Sequence, residues 1–192
     1  MRFFLYLKHI FWVWWSNHYY KKHGAELHST EINSEDNVKD LQYIQWMVDR
    51  LYKTFEYTKD SVELLGDAII PPCEAYKQYK EGKLKDDCDG FHSLVYHCLK
   101  QSGFKTYLLT ANTGKNGHCV TTFRYMGLWY VIDYNEIYGS CRRLEPSVQE
   151  FNDYYSKKYC KDKKVIYNAL LEYDYEQGKF ILLNNKKTFY EN

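Results

Sequence analysis

Midway along the chain the hydrophobic period changes from that of a helix to that of a sheet, and this change constrains the fold more than any other feature. From Asp87 to about Gln101 the apolar residues Leu94, Val95, Cys98 and Leu99 form one helical stripe. Asp87 suits the N-cap, and Gly103 suits the C-terminal stop. The pattern then becomes that of strands, over Thr106 to Ala111, His118 to Tyr125 and Leu128 to Tyr134. Met126-Gly127 makes a tight turn between the last two, so they pair antiparallel. A helix followed by an antiparallel meander predicts an α+β fold.

The flanks extend this centre. Leu41, Ile44, Met47, Val48 and Leu51 recur at helical spacing, which predicts a helix over 36–53 after a polar loop from His28 to Asn37. Residues 55–60 read as a short extended piece, and Pro71-Pro72 as a non-helical turn. Glu74 to Gln78 suits a short helix. A further helix is expected from Pro146 to Tyr159, with strands near 164–175 and 179–184 joined by a turn at Glu176-Gln177-Gly178. The expected organisation is an aromatic helical arm and loop over 1–37, followed by one domain over 38–192. That domain has its motif core at 55–135 and a C-terminal helix and hairpin at 146–184.

Composition narrows the function. The net charge of +1 gives no bulk electrostatic case for nucleic acid. The six cysteines include no C-x-x-C pair, which argues for a reducing, cytoplasmic setting. In the arm, Lys8 and His9 interrupt the apolar runs, so the segment falls short of a clean membrane span. Trp12, Trp14, Trp15, Tyr19 and Tyr20 suit a membrane interface, so residues 3–20 admit peripheral membrane contact. They suit a helix packed on the domain equally well. Neither composition nor spacing fixes an oligomeric state.

Cys88 stands at the start of the central helix. A free thiol has a pKa near about 8.5, so only about 3% is thiolate at neutral pH. A helix N-terminus or a neighbouring imidazole raises that fraction. Three aspartates, Asp86, Asp87 and Asp89, surround Cys88 and act in the opposite sense unless they are turned to other tasks. His118 opens a strand after a glycine-bearing loop, where backbones approach closely. With the turn at Met126-Gly127, His118 falls almost opposite residues 133–135, so the Asp133 carboxylate can reach the imidazole and fix its tautomer. His92 and His97 read as helix-surface residues. No set of Cys and His has the spacing of a zinc site.

Asp87-Cys88-Asp89-Gly90-Phe91 resembles the D-C-D-x-[FYA] segment of bacterial transglutaminase-like cysteine peptidases. Gly117-His118 and Trp129-Tyr130-Val131-Ile132-Asp133 resemble that superfamily's histidine strand and W-x-x-x-D strand. Phe55-x-Tyr57-x-x-Asp60 and Pro72-x-Glu74 are also similar to it, so the resemblance covers roughly 38–135. It implies a papain-like fold and a catalytic triad of Cys88, His118 and Asp133. It also implies acyl transfer from a protein, peptide or other amide substrate, by hydrolysis or transfer, with no metal or organic cofactor. A catalytically silent interaction module is the alternative. Asp86 stands where these proteins commonly carry glycine. Gln78, Asp89 and Trp129 are candidates for the oxyanion site or cleft wall, beside the Cys88 backbone N–H.

Overall fold

Asp87 does cap the central helix: its side chain accepts a hydrogen bond from the N–H of Asp89, and the helix runs Cys88–Gln101. The computed structural model describes residues 2–28, 40–58, 68–113, 117–161 and 163–183. Its elements are α1 (Arg2–Lys22), α2 (Leu41–Thr54), β1 (Glu56–Tyr57), α3 (Pro72–Lys80), β2 (Lys85–Asp86) and α4 (Cys88–Gln101), followed by β3 (Lys105–Asn112), β4 (Gly117–Tyr125), β5 (Leu128–Asp133), β6 (Glu136–Cys141), α5 (Leu144–Tyr159), β7 (Tyr167–Asp174) and β8 (Lys179–Leu182). Residues 29–37 of the expected loop, and Asp60, lie outside the described residues.

The last six strands form one antiparallel sheet in the order β6-β5-β4-β3-β7-β8. Alternation along each strand divides its side chains between two faces. On one face Phe123, Tyr130 and Ile132 pack with Phe91, Leu94, Val95 and Leu99 of α4. On the other, Val120, Trp129 and Val131 pack with Leu144, Val148 and Phe151 of α5. The α+β class is therefore as expected, with the cysteine-bearing helix packed on the antiparallel sheet that carries His118 and Asp133. This layering is consistent with a papain-like fold.

Three local readings change. Pro71 is extended, but Pro72 is the first residue of α3, where its missing N–H costs no hydrogen bond. Strand β6 was not expected. It is short and half-exposed, and its Gly139 and Ser140 both take positive φ, so it carries no alternating signal. Third, His92 and His97 are not on a helix surface, because every residue from Asp89 to Leu99 is buried. Helix α4 lies between the sheet and helices α2 and α3, so its polar side is covered as well as its apolar stripe.

Helix α1 is packed on the domain. The Asn17 amide donates to the carbonyl of Phe180 and accepts from its N–H, so it substitutes for a neighbouring strand along β8. Ser16 Oγ accepts the N–H of Ile69, and His9 Nε2 bonds Thr110 Oγ1. Among the described residues no helix is long and apolar enough to cross a membrane.

Candidate active site

The β4–β5 turn is Met126-Gly127, both at positive φ, and it sets Thr121 opposite Ile132. Continuing that register brings His118 and Asp133 to the same end and the same face of the sheet. Their side chains meet: His118 Nε2 lies 2.7 Å from Asp133 Oδ1. Asp133 is 3% exposed, so this carboxylate is shielded from water. The ionised carboxylate only accepts, so Nε2 carries the proton in the neutral ring and Nδ1 is left with its lone pair.

Cys88 reaches the same place from the opposite face of the sheet. Its Sγ accepts a hydrogen bond from the N–H of Cys119, the residue after His118, at 3.3 Å. The first residue of α4 thus meets β4 at Cys119, next along the strand from His118. Burial pushes the Cys88 thiol well above its ordinary pKa, and the charges of Asp87, Cys119 and Asp89 push it the same way. The Cys119 N–H acts in the opposite sense but is the smaller effect. Asp87 is committed to the cap. Asp89 is not turned to solvent: it is 2% exposed, with Oδ2 accepting the N–H of Ile70. Even with both carboxylates held in structural hydrogen bonds, the resting thiol stays protonated.

Other candidates fall elsewhere. Gln78 Nε2 donates to Glu74 one turn back on α3, and none of its hydrogen bonds reaches Cys88. Trp129 is buried beneath α5 and stacked on Tyr107, a core position in place of the cleft wall. Asp89 adjoins the thiol but holds the loop at Ile70. An acidic side chain cannot donate to an oxyanion while ionised.

Four tyrosine and phenylalanine rings approach His118. Tyr155 of α5 stacks on the imidazole at 5.2 Å with 9° between planes, and Tyr134 lies 5.7 Å away. Phe151, Tyr155 and Tyr159 are spaced four apart, and all three approach His118. That i, i+4, i+8 aromatic line was the available signal for Tyr155. Tyr134 holds φ 51°, unusual for a bulky residue. Its N–H donates to His92 Nε2, while His92 Nδ1 donates to Thr121 Oγ1, whose hydroxyl donates back to the His92 carbonyl. His92 is therefore a neutral ring pinning the turn that follows Asp133.

This burial has a consequence for stability. Burial lowers the pKa of His92 well below its ordinary value and that of His97 to about 4. In the unfolded chain both titrate near about 6.5. The unfolded state therefore takes up protons that the folded state refuses, and stability falls as pH drops below that value. For His97 alone the loss on passing from pH 6.5 to 4 is on the order of 3 kcal/mol. Urea midpoints are expected to fall steeply between pH 7 and 5. His97→Phe, which keeps a ring against Tyr76, should flatten the profile. An unchanged slope in that variant would contradict the assignment.

Neither a family model nor a curated relative matches the sequence. Among solved structures, the chain is similar to a Cytophaga hutchinsonii protein provisionally described as a cysteine protease. The match has 16% identity and a TM-score of 0.37, and covers 64% of this chain and 37% of that one. The chain thus spans well under half of that protein's length. So distant a likeness carries no argument about the site, whose reading rests on the geometry above.

Proposed function

We propose that the protein is a transglutaminase-like cysteine hydrolase or acyltransferase acting on a protein, peptide or other amide. The observation that carries this reading is the 2.7 Å bond between His118 Nε2 and buried Asp133, beside a cysteine sulfur held by the next residue's N–H. His118 Nδ1 takes the Cys88 proton as the sulfur bonds to the carbonyl carbon. The proton then passes to the leaving amine as the C–N bond breaks, leaving a thioester on Cys88. Water or a second amine attacks the thioester by the same route in reverse. Asp133 holds the Nε2–H tautomer and stabilises the imidazolium formed during attack. The N–H of Cys88, at the first position of α4, is the oxyanion donor, favoured by the helix dipole.

Because the resting thiol is protonated, His118 acts during attack and no stored thiolate is needed. Incubation with p-nitrophenyl acetate is expected to release a burst of nitrophenol and leave one acetyl group on Cys88 by peptide mass mapping. Cys88→Ala should show neither. Acetylation of Cys88 no faster than that of half-buried Cys141 would defeat the proposal.

One observation favours a catalytically silent interaction module: burial, Asp87 and Asp89 all oppose ionisation of Cys88. That reading expects no burst in the wild type.

A further inference from the structure

The domain covers one side of helix α1 and leaves an apolar side open. His9, Val13 and Ser16 are buried on the covered side, at 4%, 7% and 1% exposure. On the opposite side Leu7, Ile10, Phe11 and Trp14 are exposed at 43%, 42%, 47% and 57%. These four positions have the i, i+3, i+4, i+7 spacing of a single helical face. His18 continues the face and stacks on Trp14 at 5.6 Å. The face cannot be hidden by rolling the helix. Asn17 is bonded twice to Phe180, Ser16 to Ile69 and His9 to Thr110, and all three point to the covered side.

The charge on this helix sets what the face fits. Arg2–Lys22 contains four Lys and Arg residues and no Asp or Glu, in a chain whose total is only +1. Lys8, Lys21 and Lys22 are exposed. A second copy of the same cationic face would bring like charges together. An anionic bilayer supplies both an apolar layer for Phe11 and Trp14 and negative headgroups for the lysines. Tryptophan suits that boundary, because its ring is apolar while its N–H bonds water or headgroups. The helix is not apolar enough to cross the bilayer. Its 21 residues, about 32 Å at about 1.5 Å per residue, are already fixed against the sheet, so it lies along the surface.

We infer that the exposed face of α1 docks the protein on anionic lipid membranes. Trp12 and Cys88 flank the same buried cluster, so α1 and the thiol-bearing end of α4 share one face of the sheet. Docking through α1 therefore sets the orientation of that face relative to the lipid.

The test is cosedimentation of the full chain with vesicles of phosphatidylcholine alone or mixed with phosphatidylglycerol. The wild type is expected to bind the anionic vesicles at least ten-fold more tightly than the neutral ones. Phe11→Glu/Trp14→Glu and Lys21→Glu/Lys22→Glu should each weaken anionic binding at least ten-fold. Both should keep the wild-type unfolding midpoint, since all four side chains are exposed. The inference is overturned if the wild type stays in the supernatant with anionic vesicles, or if Phe11→Glu/Trp14→Glu binds as tightly. It is also overturned if sedimentation velocity shows a dimer that this variant dissolves while vesicles capture nothing.

Discussion

His118→Ala is expected to slow acylation of Cys88 by roughly 10²–10⁴-fold, the usual contribution of a positioned general base. The magnitude follows from the protonated state of the thiol. Burial, Asp87 and Asp89 hold Cys88 well above its ordinary pKa, so attack requires a base within reach. In the proposed mechanism His118 is that base. His92, 6.2 Å from it ring to ring, has both nitrogens committed to Thr121 and Tyr134. Asp133→Asn should be comparably severe, because an amide can turn its NH2 toward Nε2 and hold the proton on Nδ1, the atom that must accept from the thiol, and the charge opposite the imidazolium is lost as well. Both variants are expected to fall far below wild type, measured as burst rate at saturating ester. Cys88 acetylation in His118→Ala at the wild-type rate would remove the base from the mechanism. The stacking contact with Tyr155 is worth about 1 kcal/mol, so a small fall in unfolding midpoint accompanies the change without explaining it.

Which parts of this site were legible in the sequence depended on how local the determining contacts are. The reach from His118 to Asp133 follows from one turn and a period of two, both written locally in Met126-Gly127 and the flanking strands. The helix start at Cys88 follows from Asp87. What sequence reasoning missed is set by contacts distant in the chain. His92 and His97 look polar and surface-like, yet His92 turns onto the sheet, where its ring bonds Thr121 and Tyr134, and His97 lies under Tyr76 of α3 and bonds Tyr175. Tyr155 reaches His118 only because α5 packs on the far face of the sheet. Strand β6 depends on its pairing with β5, across a bulge at Trp129/Tyr130, and its own residues do not announce it. The arm was open between two readings. Asn17, a residue with no apolar signal, ties it to the domain through the backbone of Phe180.

The second large effect is structural. Gly90→Ala is expected to destabilise the fold by about 1–3 kcal/mol, the range for an extra methyl forced into a packed site. A Cβ on Gly90 would lie 2.3 Å from Asp86 Cβ and 2.5 Å from Asp86 Oδ2. Asp86 cannot simply swing aside, because its Oδ1 accepts the N–H of Asp87 and its backbone pairs in β2 with Tyr57. The methyl must therefore push the β2 segment off the first turn of α4. That turn carries Cys88, so acylation should fall together with stability. Asp86→Gly removes the Cβ that the new methyl meets. The double variant Asp86→Gly/Gly90→Ala should thus be less destabilised than the sum of the single changes, by more than the few tenths of a kcal/mol expected for independent sites. Thermal unfolding of the four proteins measures the coupling, and strict additivity would show that the two residues do not press on each other. Positive coupling would also give Gly90 a role in the resemblance: the glycine after Asp87-Cys88-Asp89 leaves room for the aspartate that stands where related motifs commonly carry glycine.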